Sequence, residues 1–340
     1  MGRRFIGFRA HCLSIVALLS GNTAGLPQSV GAGGDPCRSL VPAAMGGPML
    51  RDDNRIMLRW LSTANYELVY RGQVFLLDAY FDQGPRSRPT GVIPDRVVKT
   101  DAIFIGHAHY DHMSDAVPIA QMTNAKVIGA PITIDTAEKL GLPPALGVTV
   151  TGGETLQLPG VTVDAALAQH STLPRAVLEA LGKVYELDAG PATPAQAGAE
   201  TAIAAKGTFS PDVIAKGTIA YGFTFATGFK LLWLDSAGPV TEGVRALAAK
   251  LAPVDIAIVS FAGHPVAQLQ VPITLEIVRL FRPRTFLPAH HDLLFGRGFV
   301  NLDFGVEPLF EAIQEALPET ETIAPLHRRP MCFNISKRDQ

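Results

Sequence analysis

The sequence predicts an α/β fold of the α+β kind, because strand-like and helix-like segments alternate along most of the chain. Short apolar runs rich in β-branched and aromatic residues recur between Ile56 and Leu287, and several are separated by segments of helical spacing. The 340 residues are 47% hydrophobic and 18% charged, a balance that lets the chain bury a large core and argues against disorder. We therefore expect these segments to form one domain over residues 55–340.

The N-terminal residues differ in kind from the rest of the chain. Arg3 and Arg4 precede an apolar run over residues 12–20, and small residues follow it. This order is typical of a secretory signal peptide, and the apolar run is about half the length that a permanent membrane helix needs. We therefore expect cleavage near Ala24, which removes residues 1–24, leaves no stable membrane span and makes the mature protein periplasmic or secreted.

Residues 25–54 are rich in glycine and proline and show no sustained periodicity, which predicts a linker or an arm that lies across the domain. Loss of Cys12 with the signal peptide leaves Cys37 and Cys332 near opposite ends of the mature chain. The two residues can form a disulfide in an oxidising compartment, but two free thiols fit the sequence equally well.

The predicted elements begin with antiparallel strands and continue with alternating strands and helices. Strands are expected over residues 56–61, 66–70, 73–77, 102–106, 126–129, 148–150, 161–169, 218–226, 230–234, 254–259 and 285–287. Helices are expected over residues 113–121, 132–140, 240–251 and 273–281.

The most informative segment is His107-Ala108-His109-Tyr110-Asp111-His112, which directly follows the predicted strand 102–106. Loops at the carboxyl ends of strands carry side chains that are accessible yet anchored by a rigid sheet. Imidazoles and carboxylates bind zinc, and two histidines two residues apart on an extended segment can converge on one ion. Asp111 and His112 remain for a second ion, so the spacing indicates a metal pair. The alternative is a surface loop that binds metal adventitiously.

This segment resembles the H-x-H-x-D-H loop of the metallo-β-lactamase superfamily, in which a later His, a later Asp and a final His complete the site at strand ends. The matching residues here are His170, Asp235 and His290. Asp78, which directly follows the strand 73–77, resembles the aspartate that supports the metal loop of the family from behind. The resemblance spans about residues 57–294 and implies a four-layer αββα sandwich with the metals at the shared sheet edge. Alternation alone would also permit a doubly wound sheet.

The resemblance also implies a division of roles among these residues. His107, His109 and His170 are expected on one zinc ion, Asp111, His112 and His290 on a second, and Asp235 between both. A hydroxide held between the ions would attack a carbonyl carbon or phosphorus, and Asp111 would orient it and accept or relay its proton. Iron or manganese is an alternative to zinc. His291 and His264 are predicted substrate contacts, with a structural role as the alternative for His264.

Within the superfamily, the amino-acid sequence of residues 109–112 and 288–291 looks most similar to the branch of N-acylphosphatidylethanolamine-hydrolysing phospholipase D and ascorbate-phosphate lactonase-like proteins. That similarity implies an exported dizinc hydrolase of a phosphodiester, ester or lactone, acting on a small-molecule or lipid-like substrate. The chain departs from these relatives at His291-Asp292. It departs again at an insertion over residues 173–216, which is either a lid over the pocket or a solvated excursion.

Two other functions stay open: a metallo-β-lactamase-type amide hydrolase and a non-catalytic periplasmic metal-binding protein. Structural zinc sites are usually closed by four protein ligands, whereas the predicted set leaves a water position open and so favours catalysis. The net charge of −2 gives no excess of positive charge that would attract phosphates, so nucleic acid is not an expected partner. The oligomeric state is not determined by the sequence.

Overall fold

The computed structural model describes residues 34–172, 174–176, 179, 190–261, 267–292 and 305–336. The predicted signal peptide, residues 25–33 of the arm, part of the insertion and the predicted substrate contact His264 lie outside these ranges. Among the helices that are described, none has both the length and the apolar character needed to cross a bilayer.

Strands and helices alternate through the described ranges. The strands are β1 (Arg55–Trp60), β2 (Tyr66–Tyr70), β3 (Gln73–Leu77), β4 (Ala102–Phe104), β5 (Lys126–Gly129), β6 (Gly147–Thr149), β7 (Thr155–Leu158), β8 (Val161–Ala168), β9 (Thr218–Phe225), β10 (Lys230–Leu234), β11 (Ile256–Ser260), β12 (Thr285–Ala289), β13 (Glu321–Thr322) and β14 (Pro330–Asn334). The helices are α1 (Tyr110–Met113), α2 (Ala116–Thr123), α3 (Pro131–Lys139), α4 (Pro194–Ala204), α5 (Pro211–Lys216), α6 (Glu242–Leu251), α7 (Ala267–Phe281) and α8 (Glu307–Ala316).

These strands form two seven-stranded mixed sheets, ordered β14-β1-β2-β3-β4-β5-β6 and β13-β12-β11-β10-β9-β8-β7. In the first sheet the pairs from β14 to β3 are antiparallel, and those from β3 to β6 are parallel. In the second sheet the pairs from β7 to β10 are antiparallel, and those from β10 to β13 are parallel. The parallel half of each sheet brings several carboxyl strand ends to one edge.

The side chains of each strand alternate between two cores, as the pleat of a strand requires. Leu77 and Trp233 are buried between the two sheets. Their neighbours point the other way: Leu76 packs in the core with α1, α2 and α3, and Leu232 packs in the core with α6, α7 and α8. Helices therefore cover the outer face of each sheet, which confirms the αββα sandwich and excludes a doubly wound sheet.

The described part of the arm, residues 34–54, is held against the domain by a buried ion pair. Arg59 Nε lies 3.0 Å from Glu67 Oε2, and both side chains are fully buried. The arm satisfies the remaining polar atoms of this pair, since the Ala44 N–H donates to Glu67 Oε1 at 2.8 Å and Arg59 Nη1 donates to the Ser39 carbonyl at 2.8 Å. Because a buried ion pair is costly unless its hydrogen bonds are satisfied, these contacts tie the arm to β1 and β2.

Cys37 and Cys332 form a disulfide, with their Cα atoms 5.7 Å apart and a sequence separation of 295. It joins the arm to β14, at the edge of the first sheet.

The disulfide closes a long loop and so restricts the unfolded chain. Replacing both cysteines with serine is therefore expected to lower the free energy of unfolding by roughly 2–5 kcal/mol. Urea denaturation of the oxidised protein and of the double variant measures the difference. Wild-type protein under reducing conditions is the matched control and should unfold like the variant; equal stability of all three samples would contradict the prediction.

The described part of the insertion contains two helices, α4 and α5. Thr193 and Gln196 form a capping box that begins α4, and Ser210 caps α5. Glu200 of α4 pairs with Arg86 at 2.7 Å, in a pair whose side chains are only 9% and 10% exposed. Residues 190–216 are therefore anchored to the domain at these contacts, and both the lid and the solvated excursion stay predictions.

Candidate metal centre

The seven predicted ligands come together at the edge where carboxyl strand ends of both sheets meet. Four of the candidates follow a strand within three residues: His107 after β4, His170 after β8, Asp235 after β10 and His290 after β12. The rest of the segment that contains His107 continues into α1, so its side chains stay at this edge. Residues more than 120 positions apart in sequence, such as His107 and Asp235, are thereby in contact.

His107 lies at the centre of a first group. Its Nε2 is 2.9 Å from His109 Nδ1, and the His170 ring lies 4.5 Å from the His107 ring and 4.7 Å from the His109 ring, measured between centroids. One ligand atom from each of the three histidines lies within 4.8 Å of the others. Three imidazole nitrogens at this separation can bind one divalent ion.

A second group consists of Asp111, His112 and His290. Asp111 Oδ2 is 3.6 Å from His112 Nε2 and 3.4 Å from His290 Nε2. Asp235 joins the two groups, since its Oδ2 lies 2.6 Å from His107 Nδ1 and 3.1 Å from His112 Nδ1. The arrangement offers two adjacent positions for cations with one carboxylate between them.

Asp78 supports the centre from behind. Its Oδ2 lies 2.6 Å from His112 Nδ1, and its Oδ1 accepts a hydrogen bond from the Gly106 N–H at 3.0 Å. The residue is fully buried and has a positive φ of 62°. Such backbone strain is concentrated at functional sites. Asp78 orients the His112 ring so that Nε2 faces Asp111 and remains available for an ion.

Burial and neighbouring charge determine the protonation of these side chains. Burial lowers the pKa of His107 and His109 to about 3 and the pKa of His170 to about 4, so these imidazoles are neutral at pH 7. Burial raises the pKa of Asp111 and Asp235, but interactions with neighbouring histidines outweigh burial and lower the pKa of both carboxyl groups. The largest of these interactions is with His112 for Asp111 and with His107 for Asp235. Neutral imidazole and ionised carboxylate are the forms that bind cations.

This donor set fits a pair of divalent cations. Asp78, Asp111 and Asp235 crowd three buried carboxyl groups into one site, which is unfavourable without positive charge nearby. Burial lowers the pKa of His112, but these carboxylates more than reverse the effect and raise it well above its usual value. Among the described residues, Asp235 Oδ1 is buried at this centre without a hydrogen-bond partner. Because an unpaired buried polar atom is costly, a cation at the centre would remove a penalty that the protein alone leaves.

The structure places His291 in the interior. Its ring stacks on Trp60 with centroids 4.2 Å apart, and the residue is 3% exposed. Burial lowers the pKa of His291 to about 3 and keeps the ring neutral. The described contacts therefore give His291 a packing role beside the ligand candidate His290, and the substrate contact stays a prediction.

Sequence reasoning missed the turn between β1 and β2 that anchors His290. The Thr63 carbonyl accepts a hydrogen bond from the His290 N–H at 2.8 Å. Asp292 in turn accepts from the Thr63 N–H at 2.7 Å and from Ser62 Oγ at 2.6 Å. Asp292 had been noted only as a departure from the superfamily pattern, and nothing local in the sequence indicates that its partners lie about 230 residues earlier.

The sequence did not identify Gly106 as a site residue, because its position predicts only the end of the strand 102–106. A Cβ at this position would lie 1.9 Å from Asp235 Cγ and 2.1–2.2 Å from its carboxylate oxygens. Asp235 can approach His107 and His112 only because Gly106 has no side chain.

Comparison with known proteins agrees with this fold. Residues 73–291 match the family model described as the beta-lactamase superfamily domain. A metal-dependent hydrolase of Myxococcus xanthus is 24% identical over 304 residues, which is 89% of each chain. One from Polynucleobacter asymbioticus is 30% identical over 139 residues, which is 40% of this chain and about half, 49%, of that relative.

Among solved structures, Igni18, a metallo hydrolase from the hyperthermophilic archaeon Ignicoccus hospitalis, has a TM-score of 0.56 at 15% identity. The match covers 82% of this chain and 99% of the archaeal one, and it shows a shared fold. The family model covers well over half of the chain, and the strand-end His and Asp cluster lies where the fold brings carboxyl strand ends together. The chain therefore belongs to the metallo-β-lactamase superfamily, among its metal-dependent hydrolases.

Proposed function

We propose that the protein is an exported dinuclear zinc hydrolase that cleaves a phosphodiester, ester or lactone bond. The observation that carries the proposal is the pair of three-residue groups at one sheet edge, with Asp235 between them. In this assignment His107, His109 and His170 hold one ion, and Asp111, His112 and His290 hold the other. Each position has three donors of its own, the number that catalytic zinc sites usually have, and Asp235 lies between the two positions.

Two zinc ions at these positions would lower the pKa of a water molecule and polarise the scissile bond. The side chains of this chain supply the rest of the chemistry. Asp111 stays ionised at neutral pH and is positioned to accept or relay the proton of the attacking water. Asp78 keeps His112 oriented, and the Thr63 carbonyl keeps the backbone of His290 in place. No serine or cysteine nucleophile is needed for such a reaction.

Export is part of the proposal. The Cys37–Cys332 disulfide supports it, because disulfides persist in oxidising compartments and are rare where thiols are kept reduced. The signal-like residues 1–24 support it from the sequence. Fractionation of cells that express the full chain tests this part: a shortened protein in the periplasm or medium supports export, and a full-length protein in the cytoplasm contradicts it.

Metal analysis and a substrate panel test the central proposal. We expect two zinc ions per chain in the purified protein and turnover of one bond class among a chromogenic phosphodiester, an aryl ester and a lactone. Turnover of a chromogenic β-lactam alone would indicate an amide hydrolase instead. Two irons per chain would point to redox chemistry, since imidazole and carboxylate ligands also suit iron. Fewer than one metal ion and no turnover would contradict the proposal.

The Asp111→Asn variant separates chemistry from folding. Asparagine keeps the size of the side chain and one coordinating oxygen but cannot accept a proton, so kcat is expected to fall roughly 100- to 1,000-fold. Thermal unfolding should change much less than kcat. Glu276→Gln, which neutralises an exposed carboxylate paired with Arg245, is the control and should keep full turnover. Full activity of the Asp111→Asn variant would rule out the assigned role.

A further inference from the structure

Phe209 is a large apolar side chain that stays exposed beside the metal centre. Its surface is 60% exposed, yet its ring lies 4.6 Å from the His109 ring at an angle of 34° and 5.7 Å from the Tyr110 ring. Single exposed apolar residues are common on protein surfaces and need no explanation by themselves. This one contacts a candidate metal ligand, so whatever reaches the metals from this side passes its ring.

The backbone around Phe209 is fixed directly on the segment that supplies the ligands. The Thr208 N–H donates to the Ala108 carbonyl at 2.8 Å. Immediately before it, Gly207 is so close that a Cβ there would lie 2.2 Å from the Tyr110 nitrogen. Ser210 follows and caps α5. The backbone of Phe209 is therefore held between a close backbone contact and the start of a helix, which keeps the residue beside His109.

The rest of the insertion reinforces this position. Ile203 of α4 packs with Tyr80 and Tyr110 in a small buried cluster, and Glu200 pairs with Arg86. Lys206, the nearest cation in sequence, has its Nζ 3.8 Å from the buried carboxylate of Asp115. The contacts that surround Phe209 are thus aromatic and backbone contacts, which suits an apolar ligand group.

We propose that Phe209 forms an apolar substrate subsite at the entrance of the metal centre and binds an aryl or acyl group attached to the scissile bond. This inference rests on the proposed hydrolase function and narrows its substrate class. An apolar group bound here would bury the exposed ring and gain aromatic or aliphatic contact, worth roughly a 10-fold gain in affinity. A small, fully polar substrate would gain nothing from the ring, so the subsite selects among substrates with the same reacting bond.

The test uses the zinc-loaded full chain and the Phe209→Ala variant with two substrates that share the reacting bond and carry either a phenyl or a methyl substituent. The ratio of kcat/KM for phenyl over methyl is expected to fall about 10-fold, mainly through KM, because the ring binds and does not react. Phe209→Leu keeps an apolar side chain and should retain most of the ratio. Calorimetry gives a second readout: the affinity for phenylphosphonate should fall about 10-fold, and that for methylphosphonate should not change.

Leu326→Ala is the matched control, since Leu326 is 62% exposed and lies outside the insertion. Its substrate ratio and phosphonate affinities should equal those of wild type. An unchanged ratio in Phe209→Ala would overturn the subsite. Equal losses for both substrates together with lost zinc would also overturn it, because Phe209 would then act by supporting His109. If wild type shows no turnover, the proposed function fails, and phenylphosphonate binding still decides whether Phe209 forms an apolar site.

Discussion

Replacing His109 with alanine is expected to reduce the bound metal to one ion per chain or fewer and to lower kcat/KM by at least roughly 1,000-fold. The first position would keep only His107, His170 and a share of Asp235, which is one imidazole fewer than the set proposed to hold the ion. His109 precedes α1, and its side chain makes no capping hydrogen bond, so its removal should leave the start of α1 intact. The measurements are metal content per chain, steady-state kinetics and thermal unfolding with and without chelator.

The chelator experiment separates metal loss from misfolding. Because a bound ion stabilises only the folded state, chelator should lower the Tm of wild type and change the Tm of His109→Ala much less. His327→Ala replaces a histidine that packs edge-on against Trp60 and lies outside both groups. This control should keep both ions and the chelator response. Two bound ions and full turnover in His109→Ala would show that the ligand assignment is mistaken.

Gly106→Ala is expected to destabilise the protein by about 3 kcal/mol or more and to displace Asp235 from the centre. The new methyl group would overlap the Asp235 carboxylate, which is fully buried and has no room to move without leaving His107 and His112 unpaired. Loss of metal should therefore accompany loss of stability. Urea denaturation in the presence of chelator measures the first effect, and metal analysis measures the second.

Gly198→Ala provides a control with the same added methyl group and the opposite expected sign. Gly198 lies within α4, and a Cβ there would meet nothing within 4 Å. Alanine should stabilise the helix by about 0.5–1 kcal/mol, since it restricts the unfolded chain and exposes less backbone. A wild-type free energy of unfolding in Gly106→Ala would show that Asp235 does not need this space.

Local patterns predicted many of the elements, and two of the differences can be traced to particular residues. The strands at residues 66–70, 73–77, 126–129 and 230–234 were predicted at their observed bounds. The helix predicted over 113–121 is instead two helices, α1 and α2, and Asp115 between them accepts the N–H groups of Phe81 and Asp82. The helix predicted from residue 273 begins at Ala267, because Pro272 lies inside α7 although proline usually marks a helix boundary. The helices α4, α5 and α8 and the strands β7, β13 and β14 were not predicted.

The sequence by itself identified the metal-ligand segment 107–112 and the ends of the strands that carry the other candidate ligands. Through the family resemblance it also identified the αββα class. The segment and the strands can be predicted because both are local patterns: alternating apolar residues indicate a strand, and closely spaced ligands indicate a metal-binding loop. Only the tertiary structure decided the Cys37–Cys332 pairing, the close approach of Asp235 to Gly106, the anchoring of Asp292 by Thr63 and the placement of Phe209 on His109. Each of these contacts joins residues about 100 to 300 positions apart, and such contacts depend on how two sheets and an insertion pack together, a property that no local pattern encodes.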